Sequence, residues 1–563
     1  MKLYAKYLLL FAVLGLIGIF FLARSYPAHA QTPSFHFPKT FRSITFRPFR
    51  NVCGIPGNHF AKCDAKVATQ NDAVTPLASS TPLASSLTPA AFHTAYSLPC
   101  TPGGPVSSTC STPGTFGPII AIIDAFHAPN IENDLGVYST QFGLSSCTKA
   151  NGCLQVVNEN GGSSLPTTVD AGWAMETSLD VEIAHAICQT CKIMLVEANS
   201  NTYVDLGTGV NTAASMNAVA ISNSYGGGEW SGETSYDSFY NHPGVAVTVS
   251  AGDSGYGAEF PAASPNVVSV GGTTLNLFTD LTYSSESVWS GTGSGCSSFE
   301  TANSWQHSLS NWGQTGCNSA RAIADVSADA DPNTGAAIYD TTPYSGQTGW
   351  WQVGGTSLSS PLISGAFAMG ATIPSNTNAA SVLYGNYNLL NFHDVTSGSN
   401  GSCGTIMCTG AVGYDGPTGL GSPNGLGGFG IPSSVTPTPT PTLGASPTPT
   451  MTPTPTLAPT ITPTPTQAPI DTTPPKVSIT SPSNGSRVSH GTTITIRANA
   501  TDNVKVARVE FYINGSLLST DSTSPYTASW HVPNTRNVTY TITAKAYDTS
   551  SNTASASISV ISR

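Results

Sequence analysis

Charge is what this chain has least of: Asp, Glu, Lys and Arg together make up 9% of its 563 residues, with a net charge of −11 at pH 7. So thin and acidic a set argues against nucleic acid and anionic membrane surfaces as partners, because both are held through clustered Lys and Arg. A surface poor in carboxylates also loses little when carboxylates protonate, so the composition is compatible with acid conditions. Long apolar runs are short too. The run Leu8 to Ala23 falls below the roughly 20 residues a membrane span takes. It follows Lys2 and Lys6 and precedes Ala28-His29-Ala30, the charged, apolar, small-residue order of a secretory signal over residues 1–30. An uncleaved anchor is the alternative, and either way the rest is exported. No Cys/His cluster has zinc spacing. Nor does any His-Gly-Thr motif precede "GGTSLSSP", Gly354 to Pro361, the stretch that looks like a turn presenting a nucleophilic serine.

Twelve cysteines are present, and they fall in local pairs: 53/63, 100/110, 147/153, 188/191, 296/317 and 403/408. Sequence does not fix connectivity, yet six short loops are the economical expectation for an oxidising compartment. Cys188-Gln-Thr-Cys191 has redox-motif spacing, but outside the cytosol a structural bridge is the expectation.

Residues 31–90 are rich in Ser, Thr, Pro and Ala with little periodicity, which suggests a short pro-segment or flexible leader. From 91 to 433 short apolar runs alternate with helical patterns. The runs 117–125, 191–198, 218–226 and 244–253 are expected as buried parallel strands, and 173–187 has helical spacing. Alternation of this kind implies an α/β fold, a parallel sheet with helices on both faces and functional groups at the carboxyl ends of its strands. Threonine-proline repeats fill 434–473 and predict a semi-rigid extended spacer. From 474 to 563 short alternating strands, an Asn514-Gly515 turn and Trp530 predict an all-β immunoglobulin-like sandwich. This stretch carries eight Lys/Arg against four Asp/Glu. That sign leaves two roles open, contact with an acidic cell wall or polysaccharide, and a plain spacer.

At Ser357 the preceding glycines permit a sharp turn, and Pro361 sits where a helix could start. A serine hydroxyl needs a base within hydrogen-bond reach and something to orient that base. His127 and His185 lie in no catalytic setting and are expected as capped or core histidines. Glu176 and Asp180, four apart, share one helix face, where like charges raise at least one pKa and suit a shared proton. Two solvated acids on an ordinary helix would show the same spacing. Asp253, in "SAGDSG" after an apolar strand, could donate to a developing oxyanion only while protonated. It could equally be a turn residue.

Taken in order, "METSLDVE" (175–182), "SAGDSGYG" (250–257) and "GGTSLSSP" (354–361) resemble the sedolisin family of serine-carboxyl peptidases, and the similarity runs from about Leu87 to Gly425. The resemblance implies a subtilisin-like fold and a secreted endopeptidase working at acid pH. Ser357 would be the nucleophile, Glu176 the general base and later acid, Asp180 the group that orients Glu176 and shares its proton, and Asp253 the oxyanion donor. It also implies a structural calcium site at Asp394, Val395, Ala411, Gly413 and Asp415, an oxygen-only set. Ala411 stands where family members commonly have glycine. The family usually carries a large folded propeptide, for which about sixty residues leave little room. Protein or peptide substrates and a monomer are expected. A subtilase, suggested by Asp124 at a strand end, and an inactive peptidase-like adhesion protein are the alternatives.

Overall fold

The β-branched runs become the centre of one sheet. In the computed structural model, residues 39–99, 116–431 and 473–563 are described, apart from positions 55, 56, 58, 371, 372, 515, 522, 523 and 549–551. The signal segment, the Cys100/Cys110 pair and nearly all of the Thr-Pro tract lie outside them. The chain divides into two compact units, Met1–Thr440 and Pro441–Arg563.

The first unit opens with short strands β1 (Phe49–Asn51), β2 (Lys62–Cys63) and β3 (Lys66–Ala68) and helix α1 (Pro89–Ala95). Alternation then sets in with β4 (Ile119–Ala125), α2 (Ile131–Phe142), β5 (Leu154–Asn158), α3 (Ala171–Ile187), β6 (Lys192–Ala198), α4 (Tyr203–Ser215) and β7 (Ala218–Asn223). Strands dominate the middle of the unit: β8 (Tyr225–Gly228), β9 (Ala246–Ser250), β10 (Glu259–Phe260), β11 (Val268–Leu277), β12 (Tyr283–Val288) and β13 (Gly295–Thr301). After the short α5 (Ser304–His307) come β14 (Ala320–Ile323), β15 (Val326–Asp329), β16 (Ala336–Tyr344) and β17 (Gln347–Gly354), then α6 (Thr356–Met369) and α7 (Ala379–Gly385).

The main sheet runs β12-β11-β9-β7-β4-β6-β5, with β15 also on β11. Its pairs are parallel except β11–β12. Strands β4, β7 and β9 are almost wholly buried, as central strands between helix layers must be. Two helices position the site. Helix α3 is buried along nearly its whole length, and its first turn is capped by Asp170, whose carboxylate accepts from the amides of Gly172 and Trp173 at 2.9 and 3.0 Å. Such a cap contributes about 1 kcal/mol. Helix α6 packs on α3 through Gly365, where a Cβ would lie 2.6 Å from Ile187 Cγ2. Its serines bond into the sheet: Ser360 meets Ser222 at 2.9 Å and Thr248 at 3.0 Å, and Ser364 meets Thr248 at 2.7 Å. The helix begins at Thr356, so Pro361 lies inside it rather than at its start. Lacking an N–H, Pro361 leaves the Ser357 carbonyl outside the helical ladder, and Ser224 Oγ donates to that carbonyl instead, at 3.4 Å.

The described part of the leader is structured. Its β2 pairs antiparallel with β8, and its β3 antiparallel with β17, on either side of Asp64. Side-chain periodicity fails to flag it because its order comes from backbone pairing with the larger body. Among the described residues, five disulfides join 53–63, 147–153, 188–191, 296–317 and 403–408.

In the second unit, strands Lys476–Ser481, Thr493–Thr501 and Tyr526–His531 form one sheet. Arg487–Val488, Thr553–Ser562, Thr539–Asp548, Val506–Ile513 and Ser516–Asp521 form the other. Trp530, Phe511, Ile496 and Ile542 are buried in the core between them. Asn514 turns the Val506–Ile513 hairpin at a φ of 50°.

Candidate active site

Glu176 and Asp180 lie one helical turn apart on α3, and both are 0% exposed. Asp124, at the carboxyl end of β4, is buried as well, and none of these six carboxyl oxygens has a hydrogen bond of good geometry. Burial is the chief reason both helix acids are held well above the usual carboxylate range. Repulsion from Asp180 and then Asp124 adds to it at Glu176, and repulsion from Asp124 adds to it at Asp180. Asp124 itself is pushed up to about 7, again mainly by burial. Three carboxyls in so dry a pocket cannot all ionise, so the charge on one governs the titration of the others.

Ser357 is the second residue of α6 and is fully buried. It lies beside Glu176 closely enough to favour the ionised carboxylate. Its hydroxyl is donated to Ser224 O at 3.3 Å, so in this state the proton points to a backbone carbonyl rather than to the base. The serine, Glu176 and Asp180 thus form one cluster where α6 meets α3.

Asp253 follows β9. Its Oδ1 accepts from Thr356 N at 2.8 Å and from Thr356 Oγ1 at 3.0 Å. Its Oδ2 is buried and without a partner. Burial first, then repulsion from Asp64, pushes this carboxyl up to about 7. The backbone amide of Ser357 donates to the carbonyl of Asp64 at 3.0 Å. A Cβ placed on Gly355 would lie 2.2 Å from Asp64 O and 2.6 Å from Asp253 Oδ2. Both oxygens therefore converge on one point over Gly355, whose φ of 106° also calls for glycine. A carbonyl held there faces one fixed donor, the Ser357 amide, and one conditional donor, the protonated Asp253.

The histidines take no part in this cluster. His127 Nδ1 pairs with Glu197 at 2.7 Å. Buried His185 bonds the Ser145 carbonyl at 2.8 Å, and burial lowers its pKa to about 4. Its sulfur neighbours Cys147 and Cys153 are bonded to each other, so that group offers no metal site. Sequence reasoning missed Asp64 and Ser224 and met Asp124 only as the mark of a rival. Asp124's place at a strand's carboxyl end was a usable signal, whereas nothing in the sequence singles out Asp64.

At the calcium positions, Asp415 Oδ2 accepts from Ala411 N at 2.9 Å, and both Asp394 oxygens lie 3.2 Å from Gly413 N. Burial raises both carboxyls, Asp394 to about 6, and repulsion from Asp394 adds to the rise at Asp415. Neither forms an ion pair among the described residues, and burial keeps the adjacent His393 neutral down to about 4. Thr418 N and Oγ1 also donate to Asp415 Oδ1, at 2.9 and 2.8 Å, and two carboxylates with no cationic side chain paired to them are oxygen donors of the kind a hard cation takes.

Comparison with known proteins agrees with this architecture. Residues 167–380 match the subtilase family model, and residues 475–544 match the bacterial Ig domain model. Sedolisin of Pseudomonas sp. (strain 101) is 30% identical over 354 residues, 54% of this chain and 58% of sedolisin. Xanthomonalisin of Xanthomonas sp. (strain T-22) is 32% identical over 307 residues, 48% of this chain and 35% of the relative. Kumamolisin of Bacillus sp. (strain MN-32) is 31% identical over 339 residues, 54% of this chain and 58% of the relative. The chain thus spans little more than half the length of these curated relatives at most. Among solved structures, Pseudomonas sedolisin, a serine-carboxyl proteinase complexed with two molecules of pseudo-iodotyrostatin, matches at 27% identity with a TM-score of 0.48. It covers 62% of this chain and 96% of that one. The first unit is therefore similar to sedolisin, xanthomonalisin and kumamolisin and to the subtilase family, and the second is similar to bacterial Ig domains.

Proposed function

We propose that this chain is a secreted serine-carboxyl endopeptidase that cleaves proteins or peptides at acid pH. The observation that carries it is the meeting of buried Ser357 with the Glu176–Asp180 pair on one side and the unpartnered Oδ2 of Asp253 on the other. The Ser357 hydroxyl turns from Ser224 O to Glu176, which takes its proton as the oxygen attacks the substrate carbonyl. Asp180 shares that proton and keeps Glu176 oriented. Negative charge gathering on the carbonyl oxygen is met by the Ser357 amide and by protonated Asp253, a preorganised pair of donors in a dry site. Glu176 then returns the proton to the leaving amine, and water, activated by the same carboxylate, hydrolyses the ester.

Endo-action is favoured by the way a polypeptide passes along the site, residues 62–63 pairing with β8 and residues 66–67 with β17. Five described disulfides fit an exported protein. Asp394 and Asp415, with the carbonyls of Val395, Ala411 and Gly413, would hold a calcium ion that ties these loops together and supplies no reaction chemistry. The C-terminal unit, basic in balance, is the part suited to an acidic wall or polymer.

The test is hydrolysis of a denatured protein across pH 3 to 8, beside Ser357→Ala. Activity confined to acid and abolished by the substitution is expected; a neutral optimum, or activity surviving it, would overturn the proposal.

A further inference from the structure

The wall of the site that begins at β8 is tied back through carboxyls. Strand β8, which pairs with residues 62–63, runs on into Trp230 and the 3₁₀ helix Glu233–Phe239. The Trp230 ring stacks on Tyr203 at 5.0 Å and meets Phe260 edge-on at 5.3 Å. It also meets His59, on the polypeptide that passes along the site, at 5.3 Å. A peptide taking that path leans on Trp230, so the place of this wall bears on binding.

Glu229 accepts from Ser297 Oγ and, at 3.0 Å, from Ser298 N, which fastens the end of β8 to β13. Glu233 is fully buried; its Oε2 accepts from Trp230 N at 2.8 Å, and its Oε1 receives no N–H or hydroxyl. Asp237 Oδ1 accepts from Ser264 Oγ at 2.5 Å. Glu300, on β13, is nearly buried, and its Oε1 likewise receives no N–H or hydroxyl. What Glu233 and Glu300 touch is another acid: Glu233 is in hydrogen-bond contact with Glu229, and Glu300 with Asp237. An ionised carboxylate only accepts, so each contact needs a proton between its two members. Among the described residues none of the four forms an ion pair. Arg321 of β14 faces Glu300, but both its terminal nitrogens are engaged by Asp325, at 2.8 and 2.5 Å. Tyr203 of α4 faces Glu233, and Tyr240 faces Asp237; neither brings positive charge.

We propose that Glu229, Glu233, Asp237 and Glu300 are a proton-held latch on the substrate-binding wall, positioning residues that keep β8 and Trp230 in place for a peptide while a proton bridges each pair, and free them when the protons leave. The proposal rests on the peptidase function above and adds to it a pH dependence of binding, separate from that of the reacting groups. Burial, with the neighbouring acid adding to it, pushes Glu233 up to about 8 and Glu300 up to about 7. The latch is therefore closed in acid and opens as pH rises through that range. Two pairs of touching carboxylates then repel where water screens them poorly, and the helix Glu233–Phe239 parts from β13. The loss appears in KM, whereas the titration of Asp253 appears in kcat.

The experiment measures amide hydrogen exchange of full-length Ser357→Ala at pH 4 and pH 8, corrected for the intrinsic exchange rate, with and without Glu233→Gln and Glu300→Gln together. A glutamine amide donates to the partner carboxylate without a titrating proton, so the double substitution should keep the latch closed at both pH values. Protection over 229–240 should fall at least about tenfold from pH 4 to pH 8 in the parent and stay within about twofold in the double variant. Where the double variant does not fold at pH 4, Glu300→Gln alone should keep the protection over 235–240. In otherwise wild-type protein, KM for one long peptide should rise at least about threefold between pH 5 and pH 8 and stay level with the two glutamines, while the two kcat profiles agree. Equal protection at both pH values in the parent, an equal loss in the glutamine variants, or a KM that rises alike in both overturns the latch. No hydrolysis at any pH overturns the peptidase function and leaves the exchange result to decide whether the latch exists.

Discussion

Removing the Asp253 carboxyl tests the oxyanion arrangement. Thr356 fixes Oδ1 from two donors, so Oδ2 is held at the point over Gly355 without needing to reorganise. Asp253→Ala deletes one of two donors to the developing charge, a loss of about 10²–10³ in kcat, or about 3–4 kcal/mol. KM should change little, because the donor matters most when charge is on the oxygen. The wild-type group, pushed up to about 7, is protonated almost completely at pH 4. By pH 8 only about a tenth of it remains so. Its deprotonation removes the donor and sets a negative charge against the oxyanion, so kcat should fall as pH rises through 7. Asp253→Asn keeps an acceptor for Thr356 and a donor that does not titrate. It should cost less than Ala and lose this group's share of the alkaline fall. The assay is steady-state hydrolysis of one chromogenic peptide across pH 3 to 8. Wild-type kcat in Asp253→Ala, or an alkaline limb identical in wild type and Asp253→Asn, would refute the reasoning.

Stability should also depend on pH. Asp124, Asp253 and Asp340 are each pushed up to about 7 by burial. In the unfolded chain they ionise near pH 4, so between about 4 and 7 the unfolded state loses protons first and stability falls, by up to ~4 kcal/mol per group. Melting of Ser357→Ala should therefore be lower at pH 8 than at pH 4, and the opposite trend would contradict the assigned burial. Calcium should raise Tm by several degrees, about 2.7 kcal/mol at a hundredfold excess over Kd, and Asp415→Asn should remove that response in a calcium titration followed by calorimetry. Gly365→Val, set against Ile187, should destabilise by about 1–3 kcal/mol and lower kcat by parting α6 from α3, as paired denaturation and kinetic measurements would show.

The strands and α3 were legible because continuous apolar runs and a 3.6-residue pattern survive burial on all sides. Glu176, Asp180, Asp253 and Ser357 were legible as candidates from motif and resemblance, and the fold sets them round one cleft from three separate segments. Pro361 misled at the helix start because the turn at Gly355 already fixes it and Ser224 takes the carbonyl the proline frees. The leader was the least legible part. Its order lies in backbone pairing with β8 and β17 and in Asp64 O meeting Ser357 N, none of which leaves a periodic side-chain signal.

The central claim is that a carboxylate, not a histidine, takes the serine proton. It is tested most directly by kcat/KM for one peptide across pH 3 to 8 with wild type and with Glu176→Gln, the fold of the variant being checked by melting. A loss of about 10²–10⁴ at every acid pH, with Tm retained, is the predicted result. Activity of Glu176→Gln within tenfold of wild type, or a profile rising through the histidine range, would contradict it.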